Sequence, residues 1–222
     1  PLSNGVNFTA HTRHGTSCEL LLFHSGEEEP FAVLPFPNAC RIGDVYSMIV
    51  MGLDIEDLEY GYRIDGPYEP EKGHIFDKTK VLLDPYAKAV AGQREWGQQK
   101  IGSYHARVVR DSFDWEDMPQ STRKISDLII YELHVRGFTQ DSSSGVMHPG
   151  TFAGFREKIP YLKELGINAV ELMPIFEFDE NMNARTVNGK RLLEYWGYNS
   201  VNFFSPNTSY ASKPEHNCEG TE

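Results

Sequence analysis

Five sets of residues have types or spacings that could carry chemistry. Trp196 and Tyr198 stand two positions apart in the run Tyr195-Trp196-Gly197-Tyr198-Asn199. By residue type alone such a pair reads as core or loop packing. Glu132 and His134 interrupt an apolar run and invite a catalytic reading. Alternate positions of a buried strand can instead face a filled interior, where hydrogen bonds to neighbours satisfy them, so packing is the expectation. Glu177, Asp179 and Glu180 crowd hard oxygen donors of the kind calcium takes. They lack an EF-hand loop pattern, and a solvated acidic loop is expected. Asn207-Thr208-Ser209 matches a glycosylation acceptor, which carries little weight where no secretion signal is seen. Cys18, Cys40 and Cys218 are odd in number and lack metal-type spacing, so free thiols and a reducing compartment are expected, with cytoplasm and plastid stroma both compatible.

The chain that must position these groups has 222 residues, 40% hydrophobic and 24% charged. That content supports one large core or two smaller ones and argues against disorder. A formal net charge of -11 repels nucleic acid and anionic lipid but leaves a neutral ligand unaffected. No apolar run approaches the roughly 18 residues of a membrane helix, and no basic region followed by an apolar core opens the sequence. The expected partner is therefore neither nucleic acid nor membrane. No cofactor is expected, and oligomeric state is not legible.

The periodicity changes along the chain. From Gly5 to about Tyr68 the apolar residues come in strand-length runs such as Leu20-Leu21-Leu22-Phe23 and Tyr46-Ser47-Met48-Ile49-Val50, separated by turn formers; this spacing predicts a small β-sandwich. Glu27-Glu28-Glu29 reads as a solvated hairpin tip. Prolines and glycines break residues 65–126, yet Phe76, Leu82, Leu83, Tyr86, Trp96, Tyr104, Phe113 and Trp115 predict a packed connector rather than a tether. From Asp127 an apolar run through Leu133 and Val135 predicts a strand buried on both faces, hence in a parallel sheet. A helix follows in which Phe155, Ile159 and Leu162, and Tyr161 with Leu165, share a face, starting or kinking near Ile159 because Pro160 does not fit deep inside a helix. Gly166 supplies the stop, and Ile167 to Met173 reads as a second buried strand. Strand, helix, strand makes a βαβ unit. Such a barrel takes about 250 residues, whereas fewer than a hundred follow Asp127, so most of the sheet is expected beyond Glu222. Domain bounds are placed at 1–95 for the sandwich, 96–126 for the connector and 127–222 for the first part of the barrel.

The segment Tyr131-Glu132-Leu133-His134-Val135-Arg136-Gly137-Phe138-Thr139 resembles the first barrel strand of glycoside hydrolase family 13, the α-amylase clan, above all its isoamylase and glycogen-debranching branch. Further matches follow in order: Gly150-Thr151-Phe152, Leu165 to Pro174, Tyr195 to Asn199, and Phe203-Phe204-Ser205-Pro206. Upstream, Gly61 to Pro67 and Leu83-Asp84-Pro85-Tyr86-Ala87 resemble carbohydrate-binding module family 48, an immunoglobulin-like sandwich that precedes such barrels. The resemblance implies a multi-domain protein, an immunoglobulin-like β-sandwich followed by the first βαβ part of a (β/α)8 TIM barrel.

It also implies hydrolysis of α-1,6 branches in glycogen or starch, with retention through two carboxyl groups. In the family those groups come from later strands, so no catalytic residue is assigned here and the chain alone is expected to be inactive. The alternatives are a branching transferase of the same clan and a non-catalytic glucan-binding isoamylase-like subunit. By the same resemblance Tyr198 matches the tyrosine that stacks beneath the sugar being cleaved, where an aromatic face meets the apolar C–H patch of a pyranose. Trp196 matches a position lining that subsite. In the sandwich, Phe31, Tyr60, Tyr62 and Tyr68 are aromatic candidates for glucan contact that the sequence does not separate from core.

Overall fold

A computed structural model describes residues 1–100, 102–110, 113–116, 122–213, 220 and 222; Cys218 lies outside the described residues. Two compact units emerge, one of residues 1–91 with 100–110, the other of 92–99 with 111–222. The chain thus leaves the first unit after Ala91 and returns to it at Lys100.

In the first unit, alternation of apolar and polar residues builds two antiparallel sheets. β1 (Gly5–His11), β4 (Arg41–Ile42) and β5 (Val45–Met51) form one, in the order β1-β5-β4. β2 (Ser17–His24), β3 (Ala32–Pro35), β6 (Leu58–Asp65), β9 (Ala89–Val90) and β10 (Ala106–Arg107) form the other, in the order β3-β2-β6-β10-β9. β7 (Tyr68–Glu69) and β8 (His74–Ile75) make a small separate hairpin. Registers match the alternation: Val6 opposes Val50 and Phe8 opposes Met48, while Leu20 opposes Tyr62 and Leu22 opposes Tyr60. These inward residues form one core with Cys18, Phe36, Tyr46 and Val90. β10 falls in the stretch that reads as connector, because two residues are too short to register as a strand by periodicity.

The opposite face of the larger sheet holds a buried histidine–carboxylate contact. His105 Nδ1 lies 3.1 Å from Glu59 Oε2, and the His105 ring stacks on Phe23 at 3.8 Å. Burial pushes the Glu59 carboxyl up, but His105 and the Gly26 N–H more than offset it, and the group ends below its ordinary value.

Tyr60 and Tyr62 are core residues, whereas Tyr68 and Phe31 are exposed. The Tyr60 hydroxyl donates to Asp84 Oδ2 at 2.8 Å, which holds the segment after β8 against the sheet. Tyr60→Phe removes that charge-assisted bond, and a loss of about 1.5 kcal/mol in chemical denaturation is expected; unchanged stability would show the bond to be idle. Burial pushes the Cys18 thiol up to about 12, and Cys18 and Cys40 are free. Of the apolar and aromatic residues expected to be packed between 65 and 126, Leu83 and Tyr104 join the first core and Trp96 the second. Leu82, Tyr86, Phe113 and Trp115 are exposed instead. For Tyr86, the Asp84 side chain caps its N–H at 2.9 Å in a tight local turn, which leaves the ring outside.

In the second unit β11 (Ile130–Leu133) pairs in parallel with β12 (Ala169–Leu172). Asn168 helps set the register, accepting from Ile129 N–H at 2.8 Å and donating to the Asp127 carbonyl at 2.8 Å. Between the strands run α1 (Val135–Thr139), α2 (Phe152–Glu157) and α3 (Ile159–Glu164). Thr151 caps α2 through Gly154 N–H at 3.1 Å. The expected break near Ile159 is present, with Pro160 in the first turn of α3, where its missing N–H costs nothing. Gly166, at φ +89°, ends that helix in the left-handed conformation, with Ile167 N–H bonded to Leu162 O at 2.9 Å.

Two expectations are corrected here. Val135 opens a helix rather than extending the strand, because the His134 side chain caps the next turn. The strands are not buried on both faces either: Ile130, Tyr131, Glu132 and Val170 are exposed. No third strand pairs with β11 or β12 among the described residues, so neither edge nor both faces can be covered. The unit closes with an antiparallel hairpin, β13 (Arg185–Val187) and β14 (Lys190–Leu192).

Candidate functional site

His134 directly follows β11, and its position explains its chemistry. Nδ1 accepts the Gly137 N–H at 3.1 Å, which leaves that nitrogen without a proton. Nε2 therefore carries it, donating to the Tyr195 carbonyl at 2.7 Å and facing the Tyr210 hydroxyl at 3.2 Å. Burial holds the imidazole below its usual pKa, against the opposing effect of the Tyr195 carbonyl. A neutral histidine with both nitrogens engaged is a positioning group. Its ring stacks on Tyr195 at 4.1 Å and meets Trp196 edge-on at 6.2 Å. The packing reading of His134 is thereby realised, whereas Glu132 points to the exposed side of β11.

Beneath this layer lies the second core, of Val135, Phe152, Phe178 and Tyr210, with Trp96 packed against it. Trp96 lies parallel to Tyr210 with centroids 6.0 Å apart, and the Arg136 guanidinium sits 4.5 Å over the Trp96 ring.

The acidic group is the largest departure from expectation. A solvated loop is expected for Glu177, Asp179 and Glu180, yet Glu177 and Glu180 are fully buried. Each carboxylate ties a distant loop down. Glu177 accepts from Thr208 through N–H at 2.7 Å and Oγ1 at 2.8 Å. Asp179 accepts from Asn181 N–H at 2.8 Å and Gln93 Nε2 at 3.2 Å. Glu180 accepts from Ser209 Oγ at 2.9 Å and from the Gly97 N–H. Burial raises the Glu180 carboxyl to about 7, with Asp179 adding to the rise and these hydrogen bonds opposing it. Gly92 has to be glycine here, since a Cβ would run into the Glu177 carboxyl. Among the described residues no group of three or more His, Cys, Asp or Glu is arranged to hold a metal ion.

Above the core the 182–200 segment turns Tyr195 onto His134 and presents Trp196 and Tyr198 outward. Trp196 is 51% exposed and Tyr198 72% exposed. Trp196 lines a cleft of about 720 Å³ together with Trp96, Asn183, Arg185 and Tyr195; Tyr198 is not part of that lining. The β13–β14 hairpin that supplies Arg185 turns at Asn188 and Gly189, at φ 50° and 74°. Sequence reasoning passed over this hairpin and with it Asn183 and Arg185. Asn-Gly between two short strands was the available signal, because a two-residue turn of this type needs positive φ at both positions.

In chain order, then, a β-sandwich is followed by a parallel β/α unit whose later loops carry the exposed aromatics Trp196 and Tyr198. Comparison with known proteins gives the particular likenesses. Residues 1–87 match the family model described as carbohydrate-binding module 48 (isoamylase N-terminal domain). The chain is 38% identical over 230 residues to isoamylase 1, chloroplastic, of Arabidopsis thaliana, covering 98% of this chain and 29% of that protein. It is 33% identical over 234 residues to a glycogen debranching enzyme of Salmonella paratyphi B, covering 96% of this chain and 33% of that protein. Among solved structures, a pullulanase from Anoxybacillus sp. complexed with maltotetraose aligns with a TM-score of 0.74 at 24% identity, covering 99% of this chain and 30% of that one. Residues 1–87 thus match a carbohydrate-binding module 48 domain, and the chain as a whole is similar to the N-terminal region of isoamylases and glycogen debranching enzymes. It spans about a third of the length of these relatives. No helix among the described residues is long and apolar enough to cross a membrane.

Proposed function

We propose that the protein containing these residues is a debranching hydrolase that cleaves α-1,6 branch linkages in glycogen or starch-like glucan, with retention through a covalent glycosyl-enzyme. In this reading the two units are the sandwich module and the opening of a (β/α)8 barrel, whose later strands supply the two carboxyl groups that retention requires about 5–5.5 Å apart. The observation that carries it is positional. His134 follows the C-terminal end of β11, and the loop bearing Trp196 and Tyr198 follows that of β12, the end of a parallel barrel where active sites are built. Tyr198 then supplies the aromatic platform beneath the sugar being cleaved, and Trp196 lines the same subsite. His134 holds that loop in place through the Tyr195 carbonyl. The neighbouring pullulanase with maltotetraose supports an α-glucan as ligand.

The test is proton NMR of glycogen incubated with the whole encoded protein. Loss of the α-1,6 anomeric signal is expected, and Tyr198→Ala should lower kcat/KM about 100-fold, the scale on which substrate misplacement acts. A gain of α-1,6 signal would replace this reading with a branching transferase. No change at all would leave a non-catalytic glucan-binding subunit.

A further inference from the structure

We infer that Met182 is an oxidation-sensitive modification site: hydrogen peroxide converts its thioether to the sulfoxide, which releases Asn199 and loosens the loop that presents Tyr198. The effect on catalysis rests on the proposed role of Tyr198; the modification and the loosening do not.

The sulfur is both reachable and engaged. Met182 is 67% exposed, and its Sδ accepts a hydrogen bond from Asn199 Nδ2 at 3.3 Å. The backbone beneath it is held. Met182 N–H donates to the Asp179 carbonyl at 3.2 Å, and Asn181 N–H donates to Asp179 Oδ1 at 2.8 Å. The Asn181 side chain is tied in turn to Arg191 of β14 at 2.6 Å and to the Gln98 carbonyl at 3.0 Å. A fixed turn therefore carries the thioether, and Asn199 is the partner that can leave. A thioether sulfur accepts weakly and does not donate, so the amide has to turn Nδ2 toward it. Asn199 Oδ1 then lies buried without a hydrogen-bond partner among the described residues. One weak bond holds a side chain whose other end is unsatisfied, which leaves little to resist its release.

Oxidation removes that bond whichever sulfoxide epimer forms. A lone pair on sulfur attacks one oxygen of the peroxide, the S–O bond forms as the O–O bond breaks, and the departing hydroxide takes the proton of the transferred oxygen and leaves as water. Sulfur gives up two electrons and the peroxide takes them. An oxygen placed on the Asn199 side falls well inside the roughly 2.7–3.2 Å that an N–H···O bond takes, because only 3.3 Å separates nitrogen from sulfur, and the amide is pushed away. An oxygen placed on the other side draws electron density from the sulfur and leaves it a poorer acceptor. Asn199 directly follows Tyr198, and the next backbone anchor is Val201 N–H on the Glu177 carbonyl at 2.9 Å. Release of the amide thus frees the stretch that carries the Tyr198 ring. Met51 and Met147 are exposed as well; on β5 and ahead of α2, they serve as internal controls for access of the oxidant.

The test treats the whole encoded protein with hydrogen peroxide, locates sulfoxide by peptide mass mapping and follows backbone hydrogen exchange across residues 195–201. Sulfoxide at Met182 is expected, with roughly threefold faster exchange in that stretch. Methionine sulfoxide reductases should reverse the change. Met182→Leu keeps the volume but offers no sulfur, so peroxide should leave its exchange at 195–201 unaltered. On glycogen, kcat/KM should fall on oxidation of the parent and hold in the variant. Met182 left reduced while Met51 and Met147 are oxidised, or unchanged exchange once Met182 is a sulfoxide, would overturn the inference and leave the debranching reading standing. Faster exchange in a protein with no activity on glycogen would overturn that reading and keep the oxidation-sensitive contact.

Discussion

Tyr210→Ala is expected to cost the second unit about 3–5 kcal/mol, enough to unfold most small cores. Tyr210 is fully buried and is the ring on which the unit converges. It lies parallel to Trp96 at 6.0 Å and meets Phe152 edge-on at 5.8 Å and Phe178 at 6.3 Å. Truncation opens a cavity whose walls are other rings, which relax poorly. It also removes the hydroxyl facing His134 Nε2 at 3.2 Å, and with it one support of the loop that presents Trp196. Tyr210→Phe separates the two contributions and should cost only about 1 kcal/mol. Urea denaturation followed by tryptophan fluorescence measures both, since Trp96 reports on the ring beside it. If Tyr210→Ala fell within 1 kcal/mol of the parent, the aromatic cluster would not be what holds the unit together.

The second large effect is a pH dependence. Glu180 has its folded pKa raised by burial to about 7 from an ordinary 4.5. Between those values the folded state binds the proton that the unfolded state has released, so stability falls as pH rises and levels off above about 7. The full span is worth about 3 kcal/mol. Glu180→Gln, which cannot ionise, should abolish this component: the stability difference between variant and parent should shift in favour of the variant by about 3 kcal/mol from pH 4.5 to 8. His134 acts in the opposite sense. Its folded pKa is lowered, so its contribution is lost as pH falls below the unfolded value of about 6.5. Subtracting the variant from the parent cancels that term. Parallel pH profiles for the two proteins would show that Glu180 does not bear the strain of burial assigned to it.

The same pair of residues marks how far the sequence could be read. His134 sits in an apolar run, and its burial follows from local pattern. Glu180 sits in the polar run Glu177-Phe178-Asp179-Glu180, whose composition alone predicts water. Its burial depends on Ser209 and Gly97, one about thirty residues later and the other eighty earlier, and no local window contains both. The acceptor-like triplet Asn207-Thr208-Ser209 illustrates the point from the other side. Its hydroxyls are spent on Glu177, Glu180 and Asn207, and all three residues are buried.

Sequence by itself determined the elements whose causes are local. The strand-length run Leu20-Leu21-Leu22-Phe23 between turn formers required a strand, Pro160 required a helix break, and Gly166 required a stop. The ordered motifs from Tyr131 to Pro206 were enough to indicate the family. Tertiary structure alone decided which polar groups are buried, that residues 92–99 join the second unit while 106–107 complete a sheet of the first, and that Asn183 and Arg185 line a cleft with Trp196. The physical reason is common to all three. A hydrogen bond or a packed ring is favourable only when its partner arrives, and here the partners are brought together by chain closure over tens of residues rather than by the repeat of a helix or strand.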